Sequence, residues 1–168
     1  MPATPDDLFV HLDTLGIDVK IHTHPPLFTV EDSRSLRGDI PGGHCKNLFL
    51  KDKKGAIWLV VCLEDTPVDL KTLPKAIGAA RLSFGKPDLL MEVLGVQPGS
   101  VSPFALINDT ECCVRVILEQ VMLEQTFLNY HPLTNEATVT IARDDLLTVI
   151  RSFGHEPVAI DMRTPVSV

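Results

Sequence analysis

Two adjacent strand-like segments separated by a short turn constrain the fold of this 168-residue chain more than any other feature. Residues 47–52 and 56–63 are predicted strands, and Lys53-Lys54-Gly55 lies between them. A turn of this length that contains glycine predicts a β-hairpin. Because helical patterns occur on both sides of the hairpin, the predicted fold class is mixed α/β, with a mixed β-sheet or open barrel flanked by helices.

Helix and strand signals continue along the whole chain. Thr4 is a predicted N-cap, Pro5 takes the first helical position, and Gly16 ends the apolar stripe of this first helix. Further helices are predicted at 29–38, 69–78, 87–94 and 143–153. Further strands are predicted at 18–24, 104–107, 113–119, 126–129, 137–141 and 157–161.

The length and composition favour one domain over residues 1–162, followed by a frayed tail at 163–168. The hydrophobic fraction of 45% is sufficient for one core, and no apolar run approaches the ~20 residues that span a bilayer. The N-terminus lacks the basic and apolar regions of a secretory signal. Three of the four cysteines lie in apolar stretches, which favours reduced thiols and a cytoplasmic protein.

The net charge of −7 argues against a protein that coats nucleic acid. The charge is uneven, however, because residues 42–86 hold eight lysine or arginine side chains against four acidic ones. A small basic patch of this kind can hold the end of one nucleic acid, but not a long DNA duplex. A solvated lysine-rich hairpin explains the same charges equally well.

The segment Gly42-Gly43-His44-Cys45-Lys46-Asn47 is the first candidate for chemistry. Paired glycines let the backbone approach a ligand at the start of a strand, and the lysine that follows can bind a phosphate or carboxylate. The alternative is a glycine turn that feeds a strand, with Lys46 in solvent.

Two further segments are candidates. The loop 95–103 contains two glycines and two prolines in nine residues, and its stiff backbone can supply amide and carbonyl groups to a ligand near Gly99. His131 precedes Pro132 in a predicted turn, where it can act as a donor or transfer a proton. A rigid connection and a structural histidine are the respective alternatives.

Other groups of reactive residues lack the spacing, or the complete motif, that a metal site or a nucleophilic enzyme requires. His22 and His24 lie on one face of a predicted strand, but no third metal ligand follows at a diagnostic spacing. Cys45 lies between His44 and Lys46, so a thiolate nucleophile remains an alternative. The chain has no serine nucleophile elbow and no phosphate-binding Walker loop.

The three candidate segments, taken in order, resemble the YbaK/prolyl-tRNA synthetase editing-domain family. The resemblance rests on Gly-Gly-x-x-Lys-Asn, on the Gly-x-x-x-Pro loop at 99–103, and on His131-Pro132 with Asn135. It is greatest to the free-standing members that hydrolyse alanine from mischarged proline tRNA. It covers about residues 4–161, so that residues 1–162 would form a single editing domain.

The resemblance implies water attack on an aminoacyl-tRNA ester without a covalent intermediate, a metal or a cofactor. Lys46 would hold the phosphate region of the tRNA 3′ end, the loop at Gly99 would position the ester and the water, and His131 would line the aminoacyl pocket. The implied substrate-binding residues are Gly43, Asn47, Ser100, Val101, Ser102, Pro103 and Asn135.

The implied partner is the aminoacylated acceptor end of a tRNA, with prolyl-tRNA synthetase as a second candidate partner, and neither a membrane nor extended DNA is expected. Alanyl-tRNA(Pro) is the expected substrate, because residues 95–104 and the His131 turn resemble the alanine-specific branch of the family most. A second pocket that admits alanine and excludes proline would complement a synthetase that cannot reject the smaller amino acid strongly. A deacylase for cysteinyl- or seryl-tRNA and a non-catalytic module for nucleic-acid ends remain alternatives.

Overall fold

The computed structural model describes residues 2–25 and 40–162. The helices are α1 (Pro5–Thr14), α2 (Leu73–Ile77), α3 (Pro87–Leu94) and α4 (Arg143–Ser152), with short 3₁₀-helices at Pro98–Ser100, Pro103–Asn108 and Met122–Glu124. The strands are β1 (Lys20–Thr23), β2 (Gly43–Asp52), β3 (Ile57–Leu63), β4 (Leu82–Phe84), β5 (Val114–Glu119), β6 (Phe127–Tyr130), β7 (Ala137–Ala142) and β8 (Val158–Ile160).

The described strands form one mixed sheet of eight, in the order β1-β7-β6-β2-β3-β5-β8, with β4 paired to β2. The predicted hairpin is confirmed: β2 and β3 are antiparallel from Cys45 opposite Leu63 to Lys51 opposite Ile57. The β2–β6, β3–β5 and β5–β8 pairs are parallel. The predicted mixed α/β fold class is therefore confirmed.

Strand β2 is the longest strand and connects the two halves of the sheet. One edge of β2 pairs with β3 along most of its length. The other edge pairs with β6 at Gly43 and His44, and with β4 from Leu50 to Asp52. Between these partners, residues 45–49 have no strand on that edge within the part of the chain that the structure describes.

The two faces of the sheet bury cores of unequal size. The larger core packs Leu8 and Leu12 of α1, the buried face of α3 and α4, and Phe104 against one face. The smaller core, on the other face, contains Leu50 and Trp58 among its buried residues. Strand β3 reads as a continuous apolar run because it is covered on both faces.

Two sequence predictions are wrong in detail, and one short strand was missed. Residues 104–107 are not a strand but belong to a 3₁₀-helix, because Pro103 suits a first helical turn and the Ser102 hydroxyl accepts a hydrogen bond from the Phe104 amide. The helix predicted at 69–78 is only α2, which Gly78 ends in a left-handed conformation. Strand β4 was not predicted, because three residues are too few for a periodic signal.

Other expectations fall partly or wholly outside the described residues. The helix predicted at 29–38 and the frayed tail at 163–168 both lie there. Within residues 2–25 and 40–162, none of the helices has the length and hydrophobicity that crossing a bilayer requires.

Asp109 joins β5 to the chain segment that follows α4. It is 4% exposed, and its carboxylate accepts hydrogen bonds from the amides of Cys113 and Val114 and from His155 Nε2 at 2.8 Å. We expect Asp109→Ala to lower the free energy of unfolding by about 3 kcal/mol, because three donors lose their buried acceptor. Urea unfolding followed by circular dichroism measures this loss.

The matched control is Glu156→Ala, which breaks the exposed ion pair with Arg151. We expect that change to cost less than about 1 kcal/mol, because solvent screens exposed ion pairs. Equal losses in the two variants would show that the Asp109 carboxylate is not a structural acceptor.

Candidate functional site

The Gly42-Gly43 turn brings the start of β2 against β6. Gly42 has φ of 103°, and a Cβ at that position would lie 3.0 Å from Asn129 Nδ2. A Cβ on Gly43 would lie 3.0 Å from the Gln125 side chain and 3.1 Å from that of Leu128. The packing of β2 on β6 thus accounts for both glycines, and a substrate contact at Gly43 stays a prediction.

A buried polar network holds this junction. Asn129 Nδ2 donates to the carbonyl oxygens of Pro41 at 3.1 Å and Gly43 at 3.2 Å, and Thr140 Oγ1 donates to Asn129 Oδ1 at 2.5 Å. Because the Thr140 proton is used there, His22 Nε2 is the donor in its 3.2 Å contact with Thr140 Oγ1. The network ties β1, β7 and β6 to the start of β2.

Sequence reasoning missed Asn129 as a member of the site. The available signal was an amide side chain between Leu128 and Tyr130, in a strand whose other three residues are apolar or aromatic. A buried amide of this kind requires partners, and such partners commonly come from neighbouring backbone.

Lys46 is half-buried on β2 and is held by a chain of hydrogen bonds. Its Nζ donates to the Thr66 carbonyl oxygen at 2.5 Å, and the Thr66 hydroxyl donates to the Glu119 carboxylate at 2.8 Å. Glu119 is fully buried and also accepts the Leu63 amide at 2.9 Å. Since an ammonium has three donors, two donors of Lys46 remain for an anion.

Asn47 follows Lys46 and points to the opposite face of the sheet, because side chains alternate along a strand. Its Oδ1 is buried and has no hydrogen-bond partner among the described residues. A buried acceptor without a partner is costly in a stable fold, and such atoms call for a functional explanation. Because this oxygen is buried, a substrate contact at Asn47 stays a prediction.

The Gly-x-x-x-Pro loop combines one exposed residue with a buried frame. Gly99 is exposed, and a Cβ there would lie 3.5 Å from Asn135 Nδ2. Ser100, Val101, Ser102 and Pro103 are all buried. Only the Gly99 end of the loop can present its backbone to a ligand without rearrangement.

Ser102 fastens the loop to the turn that contains His131. It is completely buried, and its hydroxyl donates to the His131 carbonyl oxygen at 2.6 Å. Ser102 Oγ in turn accepts a hydrogen bond from the Phe104 amide at 3.2 Å. Both hydrogen-bonding functions of Ser102 are thus used by the protein, so this side chain positions the loop; a substrate contact by Ser102 stays a prediction.

His131 has one defined tautomer in its neutral form. Its Nδ1 lies 2.9 Å from the Ala137 carbonyl oxygen, which can only accept, so Nδ1 carries the proton and Nε2 a lone pair. Burial lowers the pKa of His131 below 6.5, the Ala137 hydrogen bond opposes this shift, and neighbouring His24 reinforces it. His131 is therefore a neutral hydrogen-bond acceptor near pH 7.

The sequence-predicted residues form two groups, one on β2 and one at the loop and turn that Ser102 joins. The loop residues, His131 and Asn135 belong to one group, whereas Gly43, Lys46 and Asn47 belong to β2. The parallel strands β2 and β6 pair only as far as His44 and Asn129, after which β2 continues to Lys46 and β6 leads to His131. We call the region between the two strands beyond this pairing, from Lys46 on β2 to the His131 turn after β6, the crevice.

Two alternative chemistries find little support in the geometry. Burial raises the pKa of Cys45 to about 12, against a smaller opposing effect of the Tyr130 hydrogen bond, so this group is a thiol rather than a thiolate nucleophile. His22 and His24 each contact a threonine of β7. Residues 2–25 and 40–162 contain no group of three or more side chains that could hold a metal ion.

Comparisons with known proteins agree with this architecture. The sequence pattern of the aminoacyl-tRNA editing domain matches residues 24–149. The prolyl-tRNA editing protein ProX of Acetoanaerobium sticklandii is 35% identical over 152 residues, which are 90% of this chain and 93% of that protein. The prolyl-tRNA synthetase associated domain-containing protein 1 of Danio rerio is 38% identical over 151 residues, 89% of this chain and 82% of that protein.

A solved structure shares the fold. The crystal structure of a candidate trans-editing enzyme for prolyl tRNA synthetase superimposes with a TM-score of 0.70 over 96% of this chain and 99% of that one. Its sequence is only 18% identical, so the likeness concerns the fold alone.

The low pKa of His131 makes the stability of the protein depend on pH in a defined direction. Below the unfolded value of 6.5, the unfolded chain binds a proton that folded His131 resists, so stability falls as the pH drops from 6.5 to the depressed pKa. We expect His131→Gln to lose less unfolding free energy than the wild type between about pH 7.5 and pH 5. Urea titrations at a series of pH values measure the difference, and parallel curves would contradict it.

Proposed function

Because the chain belongs to the aminoacyl-tRNA editing domain family, we propose that it hydrolyses the ester between a wrongly attached amino acid and its tRNA. The observation that carries this proposal is the placement of Lys46. A cation with two unused donors lies beside the crevice between β2 and β6, and the exposed backbone at Gly99 belongs to the loop on the other side of that crevice.

Lys46 anchors the substrate. An ammonium is a compact charge that binds phosphate oxygens, and the Thr66 carbonyl holds it from the opposite side. Holding the phosphate region of the tRNA 3′ end fixes the terminal adenosine, and with it the ester, relative to the loop. Fixing the reacting groups in this way supplies a large part of the rate enhancement that a reactive ester needs.

The loop and His131 act on the ester itself. Water attacks the carbonyl carbon, the bond to the ribose oxygen breaks, and that oxygen leaves with a proton, which yields the free amino acid and an intact tRNA hydroxyl. The backbone near Gly99 stabilises the developing oxyanion and positions the water. His131 Nε2 accepts a hydrogen bond in the aminoacyl pocket, and the neighbouring free hydroxyl of the adenosine assists the attack.

Alanyl-tRNA(Pro) is the proposed substrate. A synthetase pocket built for proline cannot reject alanine strongly, since lost methylenes change binding by only about 1–3 kcal/mol. Similar proteins carry names that refer to prolyl-tRNA editing and to prolyl-tRNA synthetase, which supports this choice. We place the reaction in the cytoplasm, on tRNA released by or bound to prolyl-tRNA synthetase. A deacylase for cysteinyl- or seryl-tRNA is the second candidate.

The first test measures ester loss from alanyl-, prolyl- and cysteinyl-tRNA. We expect rapid hydrolysis of alanyl-tRNA(Pro) alone, and Lys46→Ala should lower kcat/KM by roughly ten- to a hundredfold, as expected for a lost charged contact. Lys71→Ala, at an exposed lysine, is the matched control. If alanyl-tRNA(Pro) were not hydrolysed even at high enzyme concentration, the proposed deacylase function would be wrong. Full activity of Lys46→Ala would refute only the role of Lys46 in holding the tRNA 3′ end.

Cys45 separates hydrolysis by water from catalysis by a thiol. The raised pKa of about 12 predicts that Cys45→Ala keeps most of its deacylase activity, because the thiol does not ionise near neutral pH. Single-turnover rates of the variant and the wild type provide the comparison. Loss of all turnover in a folded Cys45→Ala protein would favour the thiol mechanism instead.

A further inference from the structure

Leu133 has a backbone conformation that leucine rarely adopts. Its φ is 65°, in the left-handed region, where a Cβ is crowded by the neighbouring carbonyl oxygen. Among the described residues, Cys112 is the only other non-glycine residue with a positive φ. Glycine or asparagine adopts this conformation at a lower cost, so a leucine at this position requires a compensating interaction.

The leucine lies in the turn that connects β6 to β7. Strand β6 ends at Tyr130 and β7 begins at Ala137, so the His131 turn consists of residues 131–136. The two site residues predicted in this turn, His131 and Asn135, are each two residues from Leu133. Because Leu133 lies midway between them, its φ sets their relative direction.

The side chain of Leu133 supplies the compensating interaction. It is partly buried and packs against the larger core. Removal of apolar surface from water is favourable, and a left-handed residue persists where the surrounding packing determines its conformation. A change of φ to the common negative region would move the side chain out of this packing. The core contact and the conformation of the turn are therefore coupled.

Polar contacts hold the ends of the same turn. The Ser102 hydroxyl donates to the His131 carbonyl oxygen at 2.6 Å, and His131 Nδ1 donates across the turn to the Ala137 carbonyl oxygen at 2.9 Å. These contacts fix where the turn begins and how wide it is. Leu133 adds an attachment to the core in the middle of the turn, between His131 and Ala137.

The conformation of the turn also affects the loop at 99–103. A Cβ on Gly99 would lie 3.5 Å from Asn135 Nδ2, so the second half of the turn lies beside the exposed backbone of the loop. A displaced turn would change this approach and the direction of His131 Nε2 together. Since the Leu133 side chain has no polar atom, its effect on a reaction acts through these neighbours.

We propose that Leu133 is a positioning residue, whose side chain, packed against the larger core, holds the His131 turn in the conformation that directs His131 toward the aminoacyl pocket. This inference rests on the proposed function for the reaction in which His131 takes part. It assigns part of the geometry of the pocket to apolar packing rather than to a polar contact.

Leu133→Gly separates the role of the side chain from that of the backbone conformation. Glycine adopts a φ of 65° without strain, so a turn that required only this φ would keep its geometry. We expect instead that kcat for alanyl-tRNA(Pro) falls roughly tenfold or more, because the turn loses its attachment to the core. KM should change little, since Lys46 still anchors the tRNA. Leu133→Met keeps an apolar side chain of similar volume and should keep the activity.

The pKa of His131 gives a measurement that does not require ester hydrolysis. Burial lowers this pKa below 6.5, the Ala137 hydrogen bond opposes the shift, and His24 reinforces it. A loosened turn exposes the imidazole, so Leu133→Gly should raise the pKa toward 6.5, whereas Leu133→Met should leave it low. NMR titration of the imidazole signals measures the pKa. The signal that is missing from His131→Gln identifies this residue among the six histidines.

Leu147→Ala is the matched control, because Leu147 of α4 is also partly buried against the larger core but lies outside the His131 turn. It should destabilise the protein and leave kcat and the pKa of His131 unchanged. An unchanged kcat and pKa in Leu133→Gly would overturn the proposal. Equal changes in Leu133→Gly and Leu147→Ala would overturn it too, because they would reflect a general loss of stability. If the wild type hydrolyses no aminoacyl ester, the proposed function fails, whereas the pKa comparison still decides on Leu133.

Discussion

The site depends on a parallel contact of only two residue pairs, Gly43 with Leu128 and His44 with Asn129. These pairs join the half of the sheet that contains β1, β7 and β6 to the half that contains β3, β5 and β8. If β2 and β6 paired along their full length, no crevice would remain between them. If they did not pair at all, nothing would fix the distance between them. Because the pairing is this short, Lys46 and the His131 turn follow on parts of the two strands that are no longer hydrogen-bonded to each other.

Asn129 makes so short a contact stable. Its amide donates to two carbonyl oxygens of the Pro41–Gly43 turn, and its oxygen accepts the Thr140 hydroxyl, so every polar atom of the buried side chain is used. Satisfied buried networks rigidify a structure, whereas partly satisfied ones weaken it. Gly42 completes the junction, because only a residue without Cβ fits against Asn129 at a φ of 103°.

The sequence allowed the strands and helices of the described residues to be predicted well where periodicity was long, as in the hairpin of β2 and β3 and in α4. It failed at Pro103–Asn108, where a serine cap and a proline overrode an apolar run, and at the three-residue β4. The candidate site was named from short motifs, yet the motifs could not distinguish a substrate contact from a structural one. Ser102 illustrates this, because both functions of its hydroxyl are used within the protein.

The interactions that support the motifs could not be predicted, since their members are distant in sequence. Glu119 is 53 residues from Thr66, and Asn129 is 86 residues from Gly43. No local pattern marks such partners; only the folded sheet brings them together.

The distribution of charge explains how an acidic chain can act on a polyanion. Glu119 is fully buried behind Thr66, so it supports the Lys46 side of the crevice without exposing a negative surface to phosphate. His131 is neutral near pH 7, so in the proposed aminoacyl pocket it would offer a hydrogen-bond acceptor without a full charge. Positive charge is concentrated in residues 42–86, which hold eight lysine or arginine side chains against four acidic ones on a chain of net charge −7. A local concentration of positive charge on an acidic chain favours binding of one RNA end over binding along an extended nucleic acid, which requires many neutralised phosphates.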